Sequence, residues 1–519
     1  MDATLKHKIG QMLIAGFPSP EVDAQARALV KDFCVGNFAL FGRNIVDTAQ
    51  VCRMIDGLHA LAYEANGVAA LIGTDQEGGV VSRITTGAAL FPGTMAAAAS
   101  PGTDTFRMGE NCGRILSTLG IRCSFSPVLD VNMDPMNPII GSRAYCDDPE
   151  TVARLGTAML RGMQAAGTAA AVKHFPGHGN VAGDSHLMLP RNSTPRSVLE
   201  TTEWMTFRRA FEAGADALMT CHVVFEDVDS AYPATLSPAN MTGLLREQLG
   251  FTGIAITDCM EMDAVRKCYG IGRGAVLAVQ AGCDILCFSH TYEAVAEAAQ
   301  ALYAAVESGE ISAVRIEESY RRIMAVKEKY GLLTPPVIDA AAAQRRMQDA
   351  AAIAYNQQVS RRSMTVLRDT GGLQKLKNAK SPRFFAPASI AVTGAEDKDR
   401  APTRFAALAA ARLGGDGVEI PMNELDEATL AAISDPGWDV GVLALYNARL
   451  RDGQQAVLRT LEADGRPLVV ALLGAPYDLP LVQRADRVIC GYVYTWLSAN
   501  ALLDALANGE FPGKSPVKL

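Results

Sequence analysis

The sequence predicts a TIM-type (β/α)8 barrel followed by a smaller α/β sandwich domain. Three observations predict this α/β fold: the length of the chain, the alternation of apolar runs with helix-length stretches, and the charged residues that follow the runs. At 519 residues and 49% hydrophobic content, the chain exceeds what one hydrophobic core usually supports, so two domains are expected.

Short apolar runs recur through the first part of the chain, and each is interpreted as a barrel strand. The stretches between most of them are long enough for a helix, as at 51–65, 105–119 and 151–166, which is typical of a parallel sheet. The eight runs cover residues 12–15, 38–41, 68–73, 123–129, 169–172, 217–219, 254–256 and 285–288. Eight such units in about 335 residues fit a (β/α)8 barrel.

A domain boundary is predicted after Leu333, where the sequence T-P-P-V-I-D leads into an alanine-rich stretch. We expect a barrel over 1–335, a linker and helix over 336–360, and an α/β sandwich over 361–519. The strands expected in the last part are 390–393, 440–445, 468–473 and 488–494, alternating with helices at 403–413, 455–463 and 499–507.

Composition limits the partners of the protein. A formal charge of -8 offers no basic surface for nucleic acid, and no apolar run reaches the roughly 18 residues that a membrane helix needs. The chain begins without a signal-peptide pattern, and its 11 cysteines are scattered singly, as in a reducing compartment. We therefore expect a cytoplasmic protein, monomeric or homodimeric, without nucleic-acid or membrane partners.

Polar residues follow the apolar runs at the ends where barrel enzymes place their active sites. They are Arg43, Asn44, Asp75, Asp130, Lys173, His174, His222 and Asp258. A barrel that served only as a scaffold would seldom collect so many charged groups at one rim.

The longest connection follows the fifth run, where about 20 residues replace the usual two to six. Within it Asp184 and His186 are two residues apart, so the carboxylate can orient the imidazole for proton transfer near neutral pH. The alternative is a loop hydrogen bond without chemistry, but the length and barrel position of the loop favour an acid/base pair.

Zinc binding is the competing interpretation of this region, because His174, His178, His186 and His222 are four of seven histidines. The F-P-G between the first two cannot form a helical turn, and no H-E-x-x-H occurs. We expect neither a metal nor an organic cofactor.

Asp258 closes the apolar run I-A-I-T, so it is a candidate nucleophile for glycosyl transfer with retention; a helix N-cap is the alternative. Asp75, Arg83 and Arg143 are candidates for holding sugar hydroxyls, although both arginines would also serve as structural ion-pair partners.

Together these segments resemble glycoside hydrolase family 3, in its branch of bacterial β-N-acetylglucosaminidases that act in cell-wall recycling. The match covers the chain nearly end to end and includes these motifs: I-G-Q-M-L-I-A-G-F, L-F-G-R-N-I, D-Q-E-G-G, K-H-F-P-G-H-G-N-V-A-G-D-S-H, M-T-C-H-V, P-A-T-L-S-P and G-F-T-G-I-A-I-T-D. The sequence departs from the family pattern at Val80, where arginine is common, and at Cys259, where a second aspartate is frequent.

The resemblance implies a role for each candidate. Asp258 matches the nucleophile, His186 the acid/base and Asp184 its orienting partner. The positions that match the sugar-holding residues are Asp75, Arg83, Arg143, Lys173 and His174.

The function expected from this resemblance is retaining exo-β-N-acetylglucosaminidase activity on a terminal β-linked GlcNAc of muropeptide or chitin-type fragments. The alternatives left open are phosphorolysis of a β-N-acetylglucosaminide or β-glucoside, a β-glucosidase, and a sugar-binding protein without activity.

Overall fold

The computed structural model describes residues 3–181, 189–391, 394–396 and 401–519. Its first part is a closed barrel of eight parallel strands that follow one another around the barrel in chain order. We number them β1 to β8: Leu13–Ala15, Asn37–Leu40, Leu71–Thr74, Cys123–Ser124, Ala169–Phe175, Ala217–Thr220, Ile254–Cys259 and Ile285–Phe288. The predicted barrel is confirmed, and each predicted run contains the strand or overlaps it.

Helices surround the barrel, and several begin at an aspartate whose side chain accepts a backbone N–H of the first turn. The helices of the barrel part are Ala3–Gln11, Ala24–Phe33, Thr48–Asn66, Thr94–Ala99, Thr105–Leu119, Pro149–Ala165, Arg196–Leu199, Glu203–Glu212, a π-type helix Ala239–Gln248, Asp263–Tyr269, Ile271–Ala281, Tyr292–Glu307 and Ala313–Lys329. None of the helices in the described ranges is long and apolar enough to cross a bilayer.

The second part contains a six-stranded sheet in the order β9-β14-β13-β12-β10-β11, in which only β9 runs antiparallel to its neighbour. Its strands β9 to β14 are Thr365–Asp369, Pro382–Ala386, Asp416–Glu419, Val440–Leu445, Leu468–Leu472 and Arg487–Cys490. The helices of this part, and the two that precede it, are Ala340–Met347, Ala350–Ser363, Gly372–Lys377, Phe405–Leu413, Glu427–Ser434, Asp452–Asp464 and Trp496–Asn508.

Both faces of this sheet are covered, as a sandwich with helices on each side requires. In β12, Val442 and Ala444 belong to one apolar cluster of the second domain, whereas Leu443 and Leu445 belong to the cluster that also contains the barrel core. The alternation explains why 440–445 is a continuous apolar run, and the predicted sandwich is confirmed.

The strand predicted at 390–393 is wrong in position. Ile390 lies in no strand and is 53% exposed, and the strand of this region is β10, Pro382–Ala386. Residues 392 and 393 lie outside the described ranges.

Direct contacts join the two domains close to the open rim of the barrel. Arg449 Nε donates to the carbonyl of Pro135 at 2.7 Å, and the N–H of Lys514 donates to the carbonyl of Ala99 at 3.0 Å. These bonds hold the second domain against the chain segments that follow β3 and β4.

Candidate active site

The carboxyl ends of β3 and β5 bring together a buried network of charged side chains. Lys173 Nζ lies 2.7 Å from Asp75 Oδ1 and 2.6 Å from Glu77 Oε1. Arg143 donates to both carboxylate oxygens of Glu77, at 2.7 and 3.0 Å, and Arg83 donates to Asp75 Oδ2 at 2.9 Å. Three cations and two carboxylates thus share one rim of the barrel.

In this buried network, the charge of each side chain strongly affects the pKa values of its neighbours. Burial alone would raise the pKa of Asp75, but the Lys173 ammonium and the Arg83 guanidinium hold that pKa far below its usual range. The pKa of Glu77 is lowered in the same way, against burial, by Arg143 and Lys173. Both carboxylates are therefore ionised and can accept hydrogen bonds from hydroxyl groups.

Asp75 is the member of the network that is most open to a ligand. Its side chain is 16% exposed, whereas those of Lys173, Arg143 and Glu77 are between 2 and 7% exposed. Asp75 is thus the carboxylate that a ligand could reach most easily, and its buried partners set its position and charge.

His174 joins the network through a carboxylate on the neighbouring strand end. Its Nδ1 lies 2.6 Å from Asp130 Oδ2, and its Nε2 lies 3.3 Å from an Arg143 nitrogen. Because a guanidinium only donates, Nε2 is the acceptor and Nδ1 carries the proton toward Asp130. Asp130 thereby fixes both the tautomer and the orientation of the ring.

Asp258 lies at the carboxyl end of β7, two strands around the barrel from Lys173, and is partly exposed. The next residue, Cys259, donates its N–H to Asp258 Oδ1 at 2.7 Å. His222 contacts the backbone of this segment, with Nε2 3.1 Å from the Cys259 carbonyl. The segment is held by its neighbours, as a nucleophile on a rigid strand end requires.

Asp258 and Asp75 stand at the carboxyl ends of two barrel strands, β7 and β3. Because the carboxyl ends of the parallel strands of a barrel meet at one rim, the candidate nucleophile and the candidate sugar-holding carboxylate face the same side of the barrel.

The candidate acid/base pair, Asp184 and His186, lies outside the described residues. The chain that leads to it is described as far as residue 181, and after residue 188 it continues into the short strand Arg191–Asn192. That strand pairs in parallel with Val224–Phe225, beyond β6. The described residues before and after this gap therefore lie at the same rim of the barrel.

Sequence reasoning gave no role in the site to three carboxylates: Glu77, Asp130 and Glu203. Glu77 lies inside the motif D-Q-E-G-G, and Asp130 follows the fourth apolar run. Their positions in the sequence could therefore have marked both as candidate site residues. Glu203 carried none, because an acidic residue that begins a helix is ordinarily a surface feature.

The second domain also reaches this rim. Arg83 Nη2, which bonds Asp75, also donates to the carbonyl of Ala395 at 3.0 Å. A cavity of about 880 Å³ adjoins this contact between the domains, and Arg83, Leu408 and the half-exposed Trp496 are among its lining residues.

Comparison with known proteins identifies the family of the barrel domain. The family model described as glycosyl hydrolase family 3 N terminal domain matches residues 4–326. The chain belongs to glycosyl hydrolase family 3.

Relatives within this family match over about half of the chain. The chain is 36% identical over 290 residues to a β-hexosaminidase of Alkalilimnicola ehrlichii, with 54% of this chain and 82% of the relative aligned. It is 35% identical over 273 residues to a β-hexosaminidase of Tolumonas auensis, with 51% of this chain and 79% of the relative aligned.

One solved family 3 structure matches both domains. It is a β-N-acetylglucosaminidase from Paenibacillus sp. str. FPU-7, with a TM-score of 0.91 and 35% identity. The match covers 100% of this chain and 99% of that chain, so the whole architecture, including the second domain, is shared.

Proposed function

We propose that this family 3 glycoside hydrolase is a retaining exo-β-N-acetylglucosaminidase that removes terminal β-linked GlcNAc from muropeptide or chitin-type fragments. The observation that carries the proposal is the full-length similarity to a β-N-acetylglucosaminidase at 35% identity. The β-hexosaminidases that match the barrel support the same substrate class.

In the first step of the proposed reaction, a carboxylate oxygen of Asp258 attacks the anomeric carbon, and the bond to the leaving oxygen breaks. His186 gives its proton to that oxygen. In the second step His186 takes a proton from water, the water oxygen attacks the anomeric carbon, and the Asp258 carboxylate is released. Asp184 orients His186; for both residues the proposal rests on the D-S-H motif.

We assign Asp75 to direct contact with sugar hydroxyls, because it is the more exposed carboxylate of the network. Lys173 and Arg83 hold it in place, Arg143 orients Glu77, and Asp130 fixes the ring of His174 beside Arg143. Ionised groups in fixed positions form charge-assisted hydrogen bonds only with sugars whose hydroxyl groups have the matching orientation.

We also propose a cytoplasmic protein of cell-wall recycling, monomeric or homodimeric, with no nucleic-acid or membrane partner. The charge of -8 disfavours a polyanionic partner, and all eleven cysteines are free thiols, as a reducing compartment favours. The division into 1–335, 336–360 and 361–519 is retained as part of this proposal.

The decisive experiment is a panel of aryl β-glycosides with phosphate varied. We expect turnover of the 2-acetamido substrate to exceed that of the glucoside and to release free GlcNAc at the same rate with and without phosphate. Phosphate-dependent release of a sugar 1-phosphate would identify a phosphorylase, and preference for the glucoside would identify a β-glucosidase.

The covalent step is tested separately with a slow fluorinated substrate and mass spectrometry. We expect one sugar-sized adduct on the peptide that contains Asp258. An intact mass that stays unchanged while substrate turns over would contradict a covalent mechanism.

A further inference from the structure

Glu203 is a fully buried carboxyl group that has no part in the chemistry proposed above. It begins the helix Glu203–Glu212, has 0% exposure, and lies against the chain that leaves β5. Burying a carboxyl group costs free energy unless hydrogen bonds replace those it makes to water.

The chain that leaves β5 is held first at His178. Asp130 Oδ1 accepts the N–H of His178 at 2.8 Å, and Asn137 donates through Nδ2 to the His178 carbonyl at 2.7 Å. Both backbone groups of His178 are thus bonded to buried side chains.

The next residue, Gly179, is held in the same way. Glu203 Oε1 accepts the N–H of Gly179 at 2.8 Å, and the N–H of Asp134 donates to the Gly179 carbonyl at 3.2 Å. With these bonds all four backbone polar groups of His178 and Gly179 are satisfied. The two residues form a fixed point, which we call the loop anchor.

Glu203 also shapes the anchor by contact. A Cβ at Gly177 would collide with Glu203 Oε2, and a Cβ at Gly179 would lie 3.0 Å from Glu203 Oε1 and collide with the Val131 carbonyl. The carboxyl group therefore packs against bare backbone, which explains why glycine stands at both positions.

The charge state follows from the surroundings. Glu203 Oε2 has no hydrogen-bond partner among the described residues, and its titratable neighbours include the Asp130 carboxylate and the Cys221 thiol. Burial raises the pKa of Glu203 well above its ordinary value, and Asp130 raises that pKa further, against the lowering effect of the Gly179 N–H. Burial and the neighbouring carboxylate thus both favour the neutral acid over the carboxylate form of Glu203.

We propose that Glu203 is a positioning residue for proton transfer: its carboxyl fixes the loop anchor seven residues before His186, and so sets where the acid/base segment begins. The inference rests on the proposed function, since it requires His186 to act on the leaving oxygen. Misplacement by about 1 Å can cost on the order of 10²-fold in rate.

The test compares Glu203→Ala and Glu203→Gln with the control Glu212→Gln, an exposed position of the same helix that pairs with Arg209. We expect Glu203→Ala to lower kcat/KM about 10- to 100-fold on an unactivated glycoside and no more than about 3-fold on an activated aryl glycoside. Glu203→Gln keeps the acceptor for Gly179 and should restore both rates. Equal losses on both substrates, or a Gln variant as impaired as the Ala variant, would overturn the proposal.

A second measurement does not depend on activity. A neutral buried Glu203 stays protonated in the fold while it ionises in the unfolded chain, so the melting temperature of the wild type should fall relative to Glu203→Gln as the pH rises above about 4.5. Parallel melting curves of the two proteins would overturn the neutral state. If no glycoside is turned over by the wild type, the proposed function fails, while this measurement still reports on the protonation of the buried Glu203.

Discussion

Lys173 Nζ lies 2.7 Å from Asp75 Oδ1 although the two residues are 98 positions apart in the chain. The ammonium also contacts Glu77, and it is 3% exposed. Lys173 therefore neutralises two carboxylates that would otherwise repel one another in a water-poor site.

Replacing this cation should damage both stability and binding. We expect Lys173→Met to reduce the free energy of unfolding by about 3–5 kcal/mol, because two buried carboxylates lose their shared partner. Urea denaturation measures the loss. Lys8→Met is the control: its ion pair with Glu317, in which the two side chains are 29% and 39% exposed, should be worth no more than about 1 kcal/mol. Equal losses in both variants would contradict the neutralising role.

Removal of the proposed nucleophile should abolish turnover. We expect Asp258→Asn to lower kcat on the order of 10⁴-fold, since no other carboxylate replaces the attacking oxygen. Steady-state kinetics on an aryl N-acetylglucosaminide measures the effect. Asp263→Asn, which only removes ion pairs with Arg266 and Lys267 on its own helix, should keep its activity. Substantial turnover by the Asp258 variant would refute the assignment.

The proposed acid/base should be recognised by its dependence on the leaving group. We expect His186→Ala to lose on the order of 10²- to 10⁴-fold on glycosides with poor leaving groups and far less on activated aryl glycosides, which need no proton. Measuring kcat/KM across leaving groups of increasing pKa decides the matter, and a uniform loss would count against the acid role.

Low pH should weaken the hydrogen bond by which Asp130 holds His174. Burial by itself would raise the pKa of Asp130, but His174 holds it below its ordinary value. The stabilisation is therefore present above about pH 4 and lost as the pH falls through the lowered pKa. We expect Asp130→Asn to cost about 1–3 kcal/mol at neutral pH, and the difference from the wild type to shrink below about pH 4.

Thermal unfolding between pH 3 and 7 measures this difference. Asp56→Asn, at an exposed position of the helix Thr48–Asn66, serves as the control and should show no comparable change. A difference that stays constant over the whole range would mean that the charge of Asp130 is unimportant.

The contact between the domains should be sensitive to a single methyl group. At Gly79, with φ +63°, a Cβ would lie 3.0 Å from both Gly93 Cα and Val493 Cγ2. We expect Gly79→Ala to cost about 1–2 kcal/mol for the left-handed backbone and a further 1–3 kcal/mol or so for crowding. Gly67→Ala has φ +71° and open space, so only the backbone cost should appear.

A second substitution separates the cost of crowding from the cost of the left-handed backbone. Adding Val493→Ala to Gly79→Ala should recover part of the loss in urea denaturation, because it removes one of the two close atoms. Additive effects of the two substitutions would place the strain elsewhere.

The barrel could be predicted because its signal is local. Each strand is a short apolar run bounded by turn residues, and the charged residues after runs such as 169–172 and 254–256 follow from the direction of parallel strands. The second sheet was harder. Strand β10, P-R-F-F-A, begins with proline and carries an arginine, whereas the apolar stretch at 390–393 resembles a strand more closely but Ile390 is in none.

The sequence by itself determined the fold class, the family motifs and the strand ends from which Asp75, Lys173 and Asp258 project. Only the tertiary structure decided the pairings: Lys173 between two carboxylates, Arg83 on the carbonyl of Ala395, and a buried Glu203 on the Gly179 amide. The physical reason is the separation along the chain over which each effect acts. Periodicity and turn chemistry act over a few residues, whereas burial and charge pairing depend on distances that exist only after the barrel has closed and the second domain has docked.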